Sequence, residues 1–262
     1  MLNVADEGTG SPVVLLHAYP CDHTMWDAQA AALVGHGYRV IRPDLPGFGA
    51  SPLPAAAERS LSVMADAVFD TLDALGVRSF VLGGLSMGGY AAMQMLRQQP
   101  ERITALALVD TKATADPEAA RLVREETAQK ALAAGSLRPL APGMLGGLLG
   151  ETTRADRPGV VDQALGFIEA ASADSAAWAM RSMAVRPDSV PTLAGFEGPA
   201  VVIAGDQDAL SSLAEHELMA ATLPQGTLVV ITDCGHLSAI EQPVAVADAL
   251  LSFLSGVAPV EG

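Results

Sequence analysis

At 262 residues the chain is long enough for one large α/β domain, with or without an insertion, and short for two independent cores. Half of its residues are hydrophobic but only 4% are aromatic, so Ala, Leu and Val must carry the packing, as is common where helices lie on a parallel sheet. A formal net charge of −15 argues against nucleic acid and anionic lipid as partners and favours solubility.

Residues 1–8 contain no basic segment and no apolar run of signal length. No stretch reaches the roughly 18 to 20 continuous apolar residues that span a bilayer. The expectation is a cytoplasmic protein, monomeric or homodimeric, with a small-molecule substrate. Cys21 and Cys234 are too few for a disulfide framework and lack metal-ligand spacing, so they read as reduced thiols.

In chain order, short apolar runs alternate with helical patterns. A first strand is expected at 13–16, with room for one more, at 2–5, before it. Further strands fall at 38–41, 79–82, 103–109, 200–203 and 227–231. Helical periodicity marks 26–34, 61–75, 87–98, 213–223 and 244–254. This alternation predicts a mostly parallel central sheet flanked by helices. The rhythm breaks between Thr111 and Pro191, where helical patterns at 117–134, 140–149, 160–171 and 176–185 are separated by Gly and Pro. Some 80 residues are too many for a loop, so a helical insertion is expected there. Residues 255–262 read as a loose tail.

The third strand runs into Gly84-Leu85-Ser86-Met87-Gly88, a G-x-S-x-G pattern between a strand and a helix. Such a turn must be tight. Small residues on either side of the serine let strand and helix approach, and the hydroxyl is held above the sheet at a helix N-terminus. A serine hydroxyl needs a base to act as a nucleophile. Of the five histidines, His236 follows Cys234-Gly235 at the end of the sixth strand, the sheet edge that hosts chemistry. His17 reads as a loop brace, and His36 and His216 as surface residues. The imidazole in turn needs a carboxylate to fix its tautomer. Asp208 ends the fifth strand in Gly205-Asp206-Gln207-Asp208 and is the expected acid, with Asp206 capping the turn; Asp110, at the end of the fourth strand, is the alternative. The amides of Tyr19 and Met87 are expected to form the oxyanion hole.

These segments together resemble the α/β-hydrolase superfamily over essentially the whole chain. His17-Ala18-Tyr19-Pro20 is similar to its H-G-x-P motif, with Ala18 for the usual Gly. Residues 44–51, Asp44 through Ser51, resemble its D-x-x-G-x-G-x-S loop, and Glu241-Gln242-Pro243 the start of its last helix. Within the superfamily the chain is similar to 3-oxoadipate enol-lactonases and small carboxylesterases. The resemblance implies an α/β-hydrolase core of residues 1–110 and 192–262 and a helical cap of residues 111–191. Leu137, Met144, Leu148, Phe167, Trp178 and Met183 of that cap, with Leu237, are the expected lining of an apolar pocket. It also implies a serine hydrolase that cleaves a small to medium, fairly apolar ester or lactone with no cofactor and no metal. The same scaffold is compatible with perhydrolase, haloperoxidase, acyltransferase or carbon–carbon hydrolase chemistry, with a lyase, and with a non-catalytic ligand receptor.

Overall fold

The computed structural model describes residues 1–54 and 60–259. Seven strands form one sheet: β1 (Val4–Glu7), β2 (Pro12–Leu16), β3 (Arg39–Pro43), β4 (Phe80–Leu85), β5 (Ile103–Val109), β6 (Ala200–Gly205) and β7 (Gly226–Ile231). Their order is β1-β3-β2-β4-β5-β6-β7. β1 pairs antiparallel with β3, and every other pairing is parallel. β2, β4 and β6 are buried along their whole length, which is why they are continuous apolar runs in the sequence rather than alternating ones. β7 lies at the edge and keeps partly exposed positions. The strand expected at 2–5 is found at Val4–Glu7 as β1.

The helices that cover the sheet are α1 (Asp27–Gly35), α2 (Leu61–Ala74), α3 (Met87–Gln98), α10 (Leu213–Thr222) and α12 (Pro243–Leu254), with the short α11 (Ser238–Glu241) before the last. α1 packs against α12, and α2 against α3. Right-handed crossovers require this: β2 moves outward to β3 while β3 returns past it to β4, so their helices fall on opposite faces. β2 and β4 are therefore neighbours whose connections leave in opposite directions, and a crevice opens at their C-terminal ends.

Between β5 and β6 there is no strand. Six helices stand there instead: α4 (Glu118–Ala134), α5 (Ala141–Leu148), α6 (Glu151–Asp156), α7 (Pro158–Ala170), α8 (Ala173–Ala184) and α9 (Val190–Ala194). α4 packs along α8, and Arg181 on α8 pairs with Glu125 on α4 at 2.7 Å. α6 and α9 are absent from the sequence expectation. Both are a turn or two long, too short to leave a periodic pattern. α9 packs on α3 and α10 of the core and straddles the expected boundary at 191/192. Part of the expected loose tail, residues 260–262, lies outside the described residues.

Candidate active site

Ser86 stands between β4 and α3 with φ +54° and ψ −112°, a left-handed conformation that a non-glycine residue adopts only when its surroundings impose it. Three contacts impose it. The Ser86 amide donates to the Val109 carbonyl at 3.0 Å, and the Ser86 carbonyl accepts from the Tyr90 amide at 3.0 Å and from the Thr111 hydroxyl at 2.9 Å. The glycines that flank it are there for close approach. A Cβ on Gly84 would sit 2.3 Å from the Gly88 carbonyl oxygen, and one on Gly88 would sit 2.2 Å from the Leu16 carbonyl oxygen.

The sheet brings three sequence-distant segments to this point. His236 Nε2 lies 2.7 Å from Ser86 Oγ, and His236 Nδ1 lies 2.8 and 3.0 Å from the two carboxylate oxygens of Asp208. This fixes the ring: Nδ1–H donates to the carboxylate, and Nε2 is left to accept from the hydroxyl. Asp208 Oδ1 is itself held by the amides of Leu210 at 2.8 Å and Ser211 at 3.0 Å. Its side chain and that of His236 are almost fully buried, while Ser86 keeps 9% of its surface. Burial opposes an imidazolium at His236, but the facing Asp208 carboxylate outweighs it and the imidazole pKa is raised above 6.5. Burial likewise opposes the Asp208 carboxylate, and the His236 ring with the two amides brings its pKa below the usual range.

Asp110, the alternative acid, is buried nearby without a hydrogen bond to His236. Its oxygens accept from the amides of Gly205 at 2.8 Å and Ser238 at 3.3 Å, so it ties the acid turn to the histidine loop. Burial, and then the Asp208 charge, push its pKa up to about 8. Asp206 corrects the expectation of a local cap: its carboxylate accepts from the Cys234 amide at 3.1 Å, across to the histidine loop rather than within its own turn. His17 braces the first loop, its Nδ1 at 2.9 Å from the Ala18 carbonyl and its Nε2 accepting from the Leu45 amide at 2.8 Å. His216 corrects the sequence expectation. It is fully buried, because α10 packs on β6 and β7 and this face of the helix turns inward beside Asp110 and Asp208.

Asp110, Asp208 and His216 offer ligand-type atoms within 4.8 Å of one another, as do Asp22, His23 and Asp44. Hydrogen bonds account for the carboxylates in both groups: Asp110 and Asp208 hold four amides between them, Asp22 holds the amide and hydroxyl of Thr24, and Asp44 holds the amides of His23 and Ala50 and the Asn3 side chain.

Ser86 and His236 open into a cavity of about 370 Å³. Of the seven expected lining residues, Leu148 and Met183 line it; Tyr19, expected at the oxyanion hole, lines it as well. The other five are corrected. Leu137, Trp178 and Leu237 are buried in the apolar core, Met144 packs against that core, and Phe167 faces a separate cleft with Phe48 and Cys21. A helical period finds the apolar stripe of an inserted helix, but most of that stripe packs against neighbouring elements. The wall is completed by residues no apolar pattern singles out, among them Tyr90, Lys112, Asp116, Val123, Arg124 and Leu210. Two further links escaped the sequence reading. Glu241 accepts from the amides of Gly150 at 2.8 Å and Leu237 at 3.1 Å, and Gln207 bonds the amide and hydroxyl of Thr152. Both join the insertion to the loops that carry His236 and Asp208.

A family model described as the alpha/beta hydrolase fold matches residues 11–243. The chain belongs to the α/β-hydrolase fold family. Among solved structures of that fold, a thermophilic esterase from Thermogutta terrifontis is similar at TM-score 0.90 and 38% identity, over 97% of this chain and 93% of that one. A 3-oxoadipate enol-lactonase from Acinetobacter baylyi is 26% identical over 94% of this chain and 89% of its own length. The α/β-hydrolase fold family also reaches an epoxide hydrolase from Siraitia grosvenorii, 36% identical over 40% of this chain and 34% of its own. The relatives thus support a hydrolase of the kind that includes esterases and enol-lactonases. Among the described residues, no helix is long and apolar enough to cross a membrane.

Proposed function

We propose that the protein is a serine hydrolase that transfers the acyl group of a carboxylic ester or lactone to water through a covalent Ser86 ester. The observation that carries this reading is the continuous chain from Ser86 Oγ through His236 to Asp208 at the wall of a cavity. His236 Nε2 takes the proton of Ser86 as Oγ attacks the carbonyl carbon, and Asp208 stabilises the imidazolium that forms. The oxyanion receives hydrogen bonds from two amides. Met87 heads α3, where helix geometry supplies its amide with no acceptor, and Tyr19 follows β2 across the crevice. His236 then gives its proton to the departing alcohol oxygen. Water repeats the sequence at the acyl-enzyme, releasing the acid and restoring Ser86. Residues 111–191 serve as the cap over a core of residues 1–110 and 192–262. Support comes from α4, which contributes Ala120, Val123, Arg124 and Thr127 to the cavity wall.

The test is labelling with a small fluorophosphonate, read by intact mass and peptide mapping. One adduct on Ser86, lost in His236→Ala, is expected. No adduct on the folded protein would overturn the reading in favour of a lyase or a ligand receptor, and product analysis on a labelled enzyme separates hydrolysis from perhydrolysis or acyl transfer to another acceptor.

A pH dependence follows from His236. The base must be neutral, and its pKa is raised above 6.5, so activity is present above that pKa and lost below it. kcat/KM on a neutral ester should fall about tenfold per pH unit on the acid limb, with a single midpoint above 6.5. A profile flat down to about pH 4 would remove His236 as the base.

A further inference from the structure

The cavity wall facing Ser86 carries more cationic than anionic groups, although the chain as a whole has a net charge of −15. Lys112 follows β5 two residues after Asp110, and Arg124 lies on α4, so one cation comes from the end of a sheet strand and one from an inserted helix. Arg124 Nε pairs with Asp116 Oδ2 at 2.5 Å, and Arg186 Nη2 lies 2.8 Å from Asp116 Oδ1. A single buried carboxylate thus already faces two guanidiniums, one of which is stacked 4.1 Å over the Tyr90 ring. Glu215, the other acid in range, is engaged by the Thr114 hydroxyl at 3.1 Å. Three cations therefore stand against two carboxylates. Lys112 is half-buried and has neither a hydrogen bond nor an ion pair among the described residues. A partly desolvated ammonium without an anion is unfavourable, and a ligand that supplies the anion relieves it.

We propose that Lys112 and Arg124 form a carboxylate-binding subsite, so that the ester or lactone taken by this cavity carries a free carboxylate away from its scissile carbonyl. The inference rests on the hydrolase reading above and gives its substrate class. It replaces the expectation of a fairly apolar substrate. Tyr19, Val123, Leu148, Met180 and Met183 contact the carbon skeleton, and the ammonium and guanidinium take its charged end. Asp116 is a positioning residue that holds Arg124 toward the cavity.

The experiment compares mono-p-nitrophenyl esters of succinic, glutaric and adipic acid with their neutral isosteres, in which an isopropyl group replaces the carboxylate. The scissile bond is the same in each pair, so the ratio of kcat/KM within a pair reports the subsite and cancels differences in folded fraction. In the unmodified protein at least one chain length should favour the carboxylate by about tenfold or more. Lys112→Met should lower that ratio about tenfold, and Lys112→Arg should keep most of it. A ratio at or below one at every chain length, or a ratio unmoved by Lys112→Met, overturns the subsite. Fluorophosphonate labelling of the same samples separates the two failures. A labelled Ser86 with an unmoved ratio removes only the subsite, whereas an unlabelled Ser86 removes the hydrolase reading with it.

Discussion

Ser86→Ala lowers kcat on an activated ester by about 10⁵ to 10⁶-fold, and His236→Ala by a similar factor, with the two losses far from additive. The size follows from the geometry. Ser86 Oγ and His236 Nε2 share one hydrogen bond at 2.7 Å, so either substitution removes the same proton transfer and the same covalent intermediate. What survives is substrate binding and the two amides proposed for the oxyanion hole, which do not depend on either side chain. Thermal stability should change little in Ser86→Ala, because the strained backbone is held by main-chain bonds and the Thr111 hydroxyl rather than by Oγ. Progress curves with a chromogenic ester check both points, and near-normal turnover by either variant would sink the proposed mechanism.

Asp208→Asn comes second, with an expected loss of about 10⁴ in kcat, roughly 5 kcal/mol of barrier. An amide in place of the carboxylate offers His236 Nδ1–H a weaker acceptor or a competing donor, so the ring adopts the wrong tautomer and its cation loses its counter-charge. Asp110→Asn gives the control, since Asp110 was the other strand-end acid. Burial and the Asp208 charge push the Asp110 pKa up, and its carboxyl oxygens bond the Gly205 and Ser238 amides rather than the imidazole. It should cost less than about tenfold in turnover. Its cost falls on stability instead, on the order of 1 to 3 kcal/mol, because one of the two amides it accepts loses its partner. Steady-state kinetics beside thermal melts on the two variants decide the assignment. The reverse pattern would make Asp110 the acid.

The two variants also bear on the pH profile. In the folded protein the Asp208 charge raises the His236 pKa against burial. Whatever activity remains in Asp208→Asn should therefore show its acid limb at lower pH. The kinetic loss and the shifted limb have one origin, the ion pair that forms when His236 is protonated.

Much of the core was legible in the sequence for a physical reason. A parallel strand buried on both faces must be a continuous apolar run, and the helix that follows must show a 3.6-residue period. Those two patterns locate β2 to β7 and the core helices within a few residues. They also locate the candidate chemistry, because in a parallel sheet the residue that follows each strand is delivered to the same edge. Ser86, Asp208 and His236 could be named as strand-end residues before any distance between them was known.

Tertiary structure alone decided what depends on two elements meeting. His216 has an ordinary helical setting in the sequence, and only the docking of α10 on β6 and β7 buries it beside Asp110 and Asp208. The inserted helices α4, α5, α7 and α8 could be placed approximately from their periods, but a period gives a face and not the neighbour that face will meet. Leu137 and Trp178 are apolar residues of the same inserted region as Leu148 and Met183. The first two pack within the core and the last two line the cavity, and nothing local distinguishes them. Lys112, Asp116, Arg124 and Arg186 are scattered over 75 residues with no motif. Lys112, Asp116 and Arg124 meet only because α4 and the segment that follows β5 line the same cavity, so the charge of the pocket depends on how the inserted helices pack. The sequence determined the sheet, its edge and the three residues presented there, since each is fixed by local pattern and strand order; the shape and charge of what enters were decided by packing between segments far apart in the chain.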